Sequence, residues 1–207
     1  MRAFNPASFN VASLVITMVL LAGCSSSAVA VRYYLIEPVS PARVENQETL
    51  SDEKTLSLEI VDLEIPQYLE RLQIASRRPD SQLVFASAHY WGESLRKNLT
   101  RALARNLTNL LGTAAIGTPA NRLNSPPDYR LTVYVEQFER GADGYVHLLT
   151  RWQLIHRETG KTVINSSNKY VSVQQIDAKD FSGTVLAMSE LLGEFSQTIA
   201  RRIEDSQ

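Results

Sequence analysis

The chain has one cysteine, Cys24, among 207 residues. A single thiol cannot close an intrachain disulfide, so stability must come from packing, and no cysteine-based metal site is available. Histidine is almost as scarce. His89, His147 and His156 fall beside a helix start, inside a strand pattern and in a turn, with no H-E-x-x-H spacing. Structural zinc takes four ligands and catalytic zinc usually three, so this distribution argues against a metal centre. Excess charge is missing too. The 21 basic and 22 acidic residues leave a net charge of −1, and nothing suggests the basic patch or stripe of a nucleic-acid binder. There is no glycine-rich phosphate loop and no G-x-S-x-G nucleophile elbow. We expect no cofactor. No apolar run approaches the ~20 residues that span a bilayer.

What is there begins with a short apolar run from Val11 to Leu21, interrupted by Ser13 and Thr17. It follows Arg2 and ends in Ala22-Gly23. A positive start, a hydrophobic core of this length and a small-residue cleavage site make a secretory signal. The residue after the cut is Cys24, and Leu21-Ala22-Gly23-Cys24 resembles a bacterial lipobox. In such signals the thiol is alkylated with diacylglycerol, and the new amino terminus is usually acylated too. The resemblance makes Cys24 the expected lipidation site, and because one acyl chain binds a membrane marginally while two anchor it, a diacyl or triacyl Cys24 would hold firmly. The expected organisation is a signal peptide over 1–23, a lipidated tether over 24–31 and a single domain over 32–207.

Within that domain the patterning alternates between periods of two and of three to four. Arg32 to Ile36 is a compact strand stopped by Pro38 and Pro41, and residues 39–54 are a polar loop. Leu56-Ser57-Leu58-Glu59-Ile60 alternates as a half-buried strand whose apolar pattern runs on to Ile65. Gln73–Arg78 and Gln82–Ala86 flank Pro79-Asp80-Ser81, the composition of a hairpin turn. Tyr90 to Leu111 carries Leu95, Leu99, Leu103, Leu107 and Leu110 in one stripe, a helix that Gly112 ends. Ala114–Gly117 reads as a short strand. Three strands then follow as a meander: one from Tyr129, one across Val146 to Leu154, and one over Thr162–Val173. Phe181, Val185, Met188, Leu192, Phe195, Ile199 and Ile203 make a long amphipathic helix. This order predicts an α+β, or mixed α/β sandwich, fold: a largely antiparallel sheet packed by two amphipathic helices.

Candidate chemistry is thin. His89 and Glu93 stand four apart and could share a helix face as an acid–base pair, but structural roles are the better expectation. Asn98-Leu99-Thr100 and Asn106-Leu107-Thr108 match the glycosylation pattern yet sit inside a predicted helix, so both are discounted. Tyr33, Tyr34, Tyr68, Tyr90 and Trp91 are expected in the core rather than in a ligand pocket, because aromatics bury so much area. We expect no catalytic residue.

Three stretches carry a resemblance: Arg32-Tyr33-Tyr34-Leu35, the run from Ile65-Pro66-Gln67-Tyr68 to Ile74, and Tyr90-Trp91-Gly92-Glu93-Ser94-Leu95. With the meander and the terminal helix, they resemble the PqiC-like family of auxiliary lipoproteins of ABC-type and MCE-type transporters. The similarity covers roughly Val31 to Arg202. The family usually shows Arg-Trp-Ala-Glu where this chain has Tyr90-Trp91-Gly92-Glu93, so no role for that arginine carries over. The resemblance implies a non-enzymatic lipoprotein of the Gram-negative outer membrane, facing the periplasm. Its implied partner is a PqiB-like protein with MCE domains, in a system that moves lipids and protects envelope integrity. It also implies a homo-oligomeric ring. Ser25, rather than aspartate, after the lipidated cysteine favours export to the outer membrane in enteric-type sorting.

Overall fold

A computed structural model describes residues 29–39 and 56–206. Cys24, the signal peptide and most of the 39–54 loop lie outside the described residues. The contacts divide the chain into Met1–Ala30 and Val31–Gln207, and the second unit is described below.

Eight strands and two helices follow one another as β1 (Arg32–Tyr34), β2 (Leu58–Glu64), β3 (Gln73–Arg77), β4 (Leu83–Trp91), α1 (Leu95–Leu111), β5 (Ile116–Gly117), β6 (Tyr129–Arg140), β7 (Val146–His156), β8 (Thr162–Val171) and α2 (Phe181–Glu204). A single turn of 3-10 helix, Gln67–Glu70, joins β2 to β3. The result is the expected α+β architecture built on one mixed sheet.

The long β6 strand organises the sheet. One edge pairs antiparallel with β7, which in turn pairs antiparallel with β8. The other edge is shared: β2 runs parallel to residues 129–134, and β3 meets it through Ser76 and Arg140. Beyond β2 lies β5, and beyond β3 lie β4 and then β1. The parallel pairings β1–β4 and β2–β6 accompany the antiparallel meander.

Both helices lie on one face of this sheet. Leu95, Leu99, Leu103 and Leu107 of α1 are all buried, as are Met188, Leu192, Phe195, Ile199 and Ile203 of α2. They meet Leu131, Val133, Leu148, Trp152 and Leu154, every second residue of β6 and β7. Each fully buried leucine stabilises the fold by about 2 kcal/mol. The Trp152 indole packs edge-on to Phe195, and its N–H donates to Asn168 Oδ1 at 2.8 Å. Alternation leaves Arg130, Tyr134 and Arg151 on the opposite, solvent-facing side.

The first helix starts at Leu95 rather than Tyr90. Tyr90 and Trp91 instead extend β4, where they pair with Tyr33 and Tyr34 of β1. Aromatic side chains suit that half-buried pleated setting, and Trp91 reaches the core from it. Ser94 then stands at the helix N-cap, and Gly112 closes the helix at φ 65°, where a side chain would be strained. The short strand predicted at Ala114–Gly117 is reduced to Ile116–Gly117.

Candidate functional site

Four regions hold the polar chemistry of the described fold. The first is a strap. After β1 the chain crosses both helices. Asn98 of α1 accepts the Ile36 N–H at 2.6 Å and donates to the Ile36 carbonyl at 3.0 Å. Glu37 N–H donates to Ser189 Oγ of α2 at 3.2 Å. Gly193 then lets the Val39 carbonyl lie directly on α2, where any Cβ would collide with it. Asn106, the other residue of a discounted glycosylation pattern, is buried and donates to Ser196 of α2 at 3.1 Å. Both asparagines hold elements together from inside the molecule.

The second region is a buried carboxylate. A bulge between Val135 and Gln137 shifts the phase of β6, so Phe138 enters the core and Glu139 turns to the other face. There Glu139 is fully buried but richly bonded. It accepts from the Tyr68 hydroxyl at 2.7 Å, from Arg77 Nε and Gln137 Nε2 at 3.0 Å, and from Phe138 N–H at 3.1 Å. Burial first, and the Glu139 carboxylate second, hold the Tyr68 phenol far above its ordinary range, so it remains a donor. For Arg77 burial pulls downward, but the bond and charge of Glu139 outweigh it and raise the guanidinium further. Such a set of donors is what a buried charge requires. Tyr68 stands out in the sequence as an aromatic, whereas Glu139 and Arg77 belong to no motif. Their only trace is an acid in a strand that otherwise alternates cleanly.

The third region is aromatic. His89 stacks between Tyr34 and Phe181, and the Tyr34 hydroxyl lies 2.8 Å from His89 Nδ1. Burial and then Arg32 lower its pKa. His89 is a strand residue, so it shares no helix face with Glu93, which pairs with Arg101 at 2.5 Å instead. The expected alternative of an acid–base pair is therefore not assembled. His147 pairs with Asp143 at 2.9 Å, and His156 packs edge-on to Tyr129. Among the described residues no group of three His, Cys, Asp or Glu could hold a metal ion. Tyr34, Tyr68 and Tyr90 are partly buried and Trp91 fully, but Tyr33 is largely exposed on the edge strand.

The fourth is a cavity of about 750 Å3 between α1, residues 62–63 of β2 and the 116–121 segment. Its helix side carries Arg96, Lys97, Arg101 and Arg105 with the carboxylates Glu93 and Asp62 nearby, and Leu63, Ala104, Ile116, Pro119 and Ala120 complete the apolar part of its lining. The signal for it lies in the sequence: α1 contains those four cations and no acidic residue. Among the described residues no helix is long and apolar enough to cross a membrane.

The described residues form one mixed sheet with two helices packed on it. The chain belongs to the family of ABC-type transport auxiliary lipoprotein components, whose model matches residues 33–200. Among solved structures, a crystal structure of an uncharacterized protein matches with TM-score 0.68 and 23% identity, over 84% of this chain and 99% of its own. A Xanthomonas campestris protein of family DUF330 matches with TM-score 0.63 and 15% identity, over 82% of this chain and 92% of its own. At these identities the likeness is one of fold. No curated protein matches the chain in sequence.

Proposed function

We propose that this lipoprotein is a non-enzymatic adaptor of an MCE-type lipid transport system, anchored in the outer membrane through acylated Cys24 and facing the periplasm. The observation that carries the reading is the family match across nearly the whole folded unit. In this reading the partner is a PqiB-like protein with MCE domains, and the adaptor works as a homo-oligomeric ring. The strap lends mechanical support. A pull on Cys24 enters the fold through Val31 to Val39, and that segment is bonded to both helices.

Cross-linking of intact envelopes followed by purification tests the reading. Recovery of an MCE-type protein together with higher oligomers is expected, and recovery of neither sinks it. Acyl labelling should mark the wild type and not Cys24→Ala, and a Cys24→Ala protein that stays membrane-bound removes the anchor assignment. The family description itself favours a second reading, an accessory to a full ABC transporter with its own ATPase and permease. Neighbouring genes separate the two, since an ATPase accompanies one and a PqiA-like membrane protein the other.

A further inference from the structure

We infer that the cavity beside α1 is a binding site for one anionic amphiphile, with the headgroup on Lys97 and Arg105 and the tail over Ala104, Pro119 and Ala120. Charge and shape both lead there. Of the four cations on the wall, Arg101 is paired with Glu93 at 2.5 Å and Arg96 with Glu70 at 3.5 Å. Lys97 and Arg105 have no carboxylate partner among the described residues, and both are exposed. They lie eight residues apart, about 12 Å along the helix axis at 1.5 Å per residue. A headgroup held by both must draw the two long, exposed side chains toward each other, the ammonium and the guanidinium meeting one phosphate or carboxylate from opposite sides.

The base is of the other kind. Ala104, Pro119 and Ala120 offer accessible apolar surface there, while Leu63 and Ile116 are largely buried. A volume of about 750 Å3 falls inside the ordinary range for small-molecule sites, roughly 300–1,000 Å3. Free phosphate would leave the apolar base wet. An extended acidic peptide would need the strand edge beside the cavity for its main-chain bonds. The two-residue β5 leaves much of β2 without a neighbour on that side. However, the Leu63 N–H already donates to Asp62 Oδ1 at 2.8 Å. A ligand with one acidic end and one apolar end satisfies both parts of the cavity. This deepens the lipid-transport reading, on which it rests only for the choice of a phospholipid as the source of the headgroup.

The test uses the full lipidated chain in phosphatidylcholine nanodiscs, given lysophosphatidylglycerol with a photoreactive tail, and maps cross-linked peptides by mass spectrometry. Cross-links are expected in the 96–121 peptides. They should fall about tenfold in Lys97→Glu/Arg105→Glu, equivalent to about 1.4 kcal/mol, and stay unchanged in Lys169→Glu on β8. Ala104→Phe, which fills the tail space without touching the charge, should also lose them. Lysophosphatidylcholine with the same tail should label the cavity far less. Labelling confined to other regions, or undiminished by the charge reversal, overturns the proposal. So does complete displacement by millimolar inorganic phosphate or by a glutamate-rich decapeptide, which would make the site one for a free anion or a peptide. No transporter partner is present in this assay, so its failure and a failed partner capture are separate results.

Discussion

Asn98 holds both polar groups of the Ile36 peptide, accepting its N–H at 2.6 Å and donating to its carbonyl at 3.0 Å. Ile36 and Asn98 are each about 1% exposed, so water has no access to replace either bond. Asn98→Ala should therefore leave two buried backbone groups unpaired and cost about 2–4 kcal/mol. Urea unfolding should show a lower midpoint with an unchanged slope. Asn98→Asp keeps the acceptor but sets a carboxylate oxygen against the Ile36 carbonyl in a site without water, and should cost at least as much as alanine. A midpoint in Asn98→Ala equal to wild type would show that the strap is not held by this residue.

Glu139 is held by neighbours of unequal weight. Tyr68→Phe removes one neutral donor and should cost about 1–2 kcal/mol. Arg77→Met removes the compensating charge and should cost more, about 2–3 kcal/mol, because the Arg77 side chain is a third exposed and water compensates in part. The double variant Arg77→Met/Glu139→Leu should be less damaging than the sum of its parts. Additive losses in that cycle would mean the pair is not coupled.

Gly193 has no room for a side chain, since an added Cβ meets the main-chain oxygen of Val39. Alanine ordinarily improves a helix interior by about 1 kcal/mol over glycine. Here the strap must move away, and Gly193→Ala should be net destabilising by about 1–2 kcal/mol. Thermal unfolding decides the sign. A raised Tm would show that Val39 yields freely.

His89 makes stability depend on pH. Burial, then Arg32, place its folded pKa below the ordinary value, which the unfolded chain retains near about 6.5. Between the two values the unfolded state binds the extra proton. This contribution is therefore complete above about pH 6.5 and is lost as pH falls through and below it. Wild type should lose Tm more steeply than His89→Phe between about pH 7 and 5. Equal slopes would exclude His89 as the titrating group.

Much of this molecule was legible from local pattern. The leucine stripe of α1, the alternation of β6 and β7, the Pro79-Asp80-Ser81 turn and Gly112 are all local signals, and each element stands where its signal lies. The leucine pattern predicts a helix from Tyr90, five residues before α1 begins, because Tyr90 and Trp91 suit a helix or a strand. Pairing with Tyr33 and Tyr34, more than fifty residues earlier, settled the matter. The Leu21-to-Cys24 motif is equally local, and it defines the expected anchor without any fold at all.

Tertiary structure decided what depends on residues far apart in the chain. Glu139 meets Tyr68 and Arg77 only because one bulge turns it outward, where β3 and the turn before it arrive. Asn98 and Asn106, discounted as glycosylation sites from the sequence, are buried clamps, a role visible only once another element covers that face of the helix. The four cations of α1 were plain in the sequence, but the cavity they line exists only where β2 and the 116–121 segment stand opposite the helix. A one-dimensional pattern specifies which face of an element is apolar. Which element meets that face, and what space is left between them, is settled by packing in three dimensions.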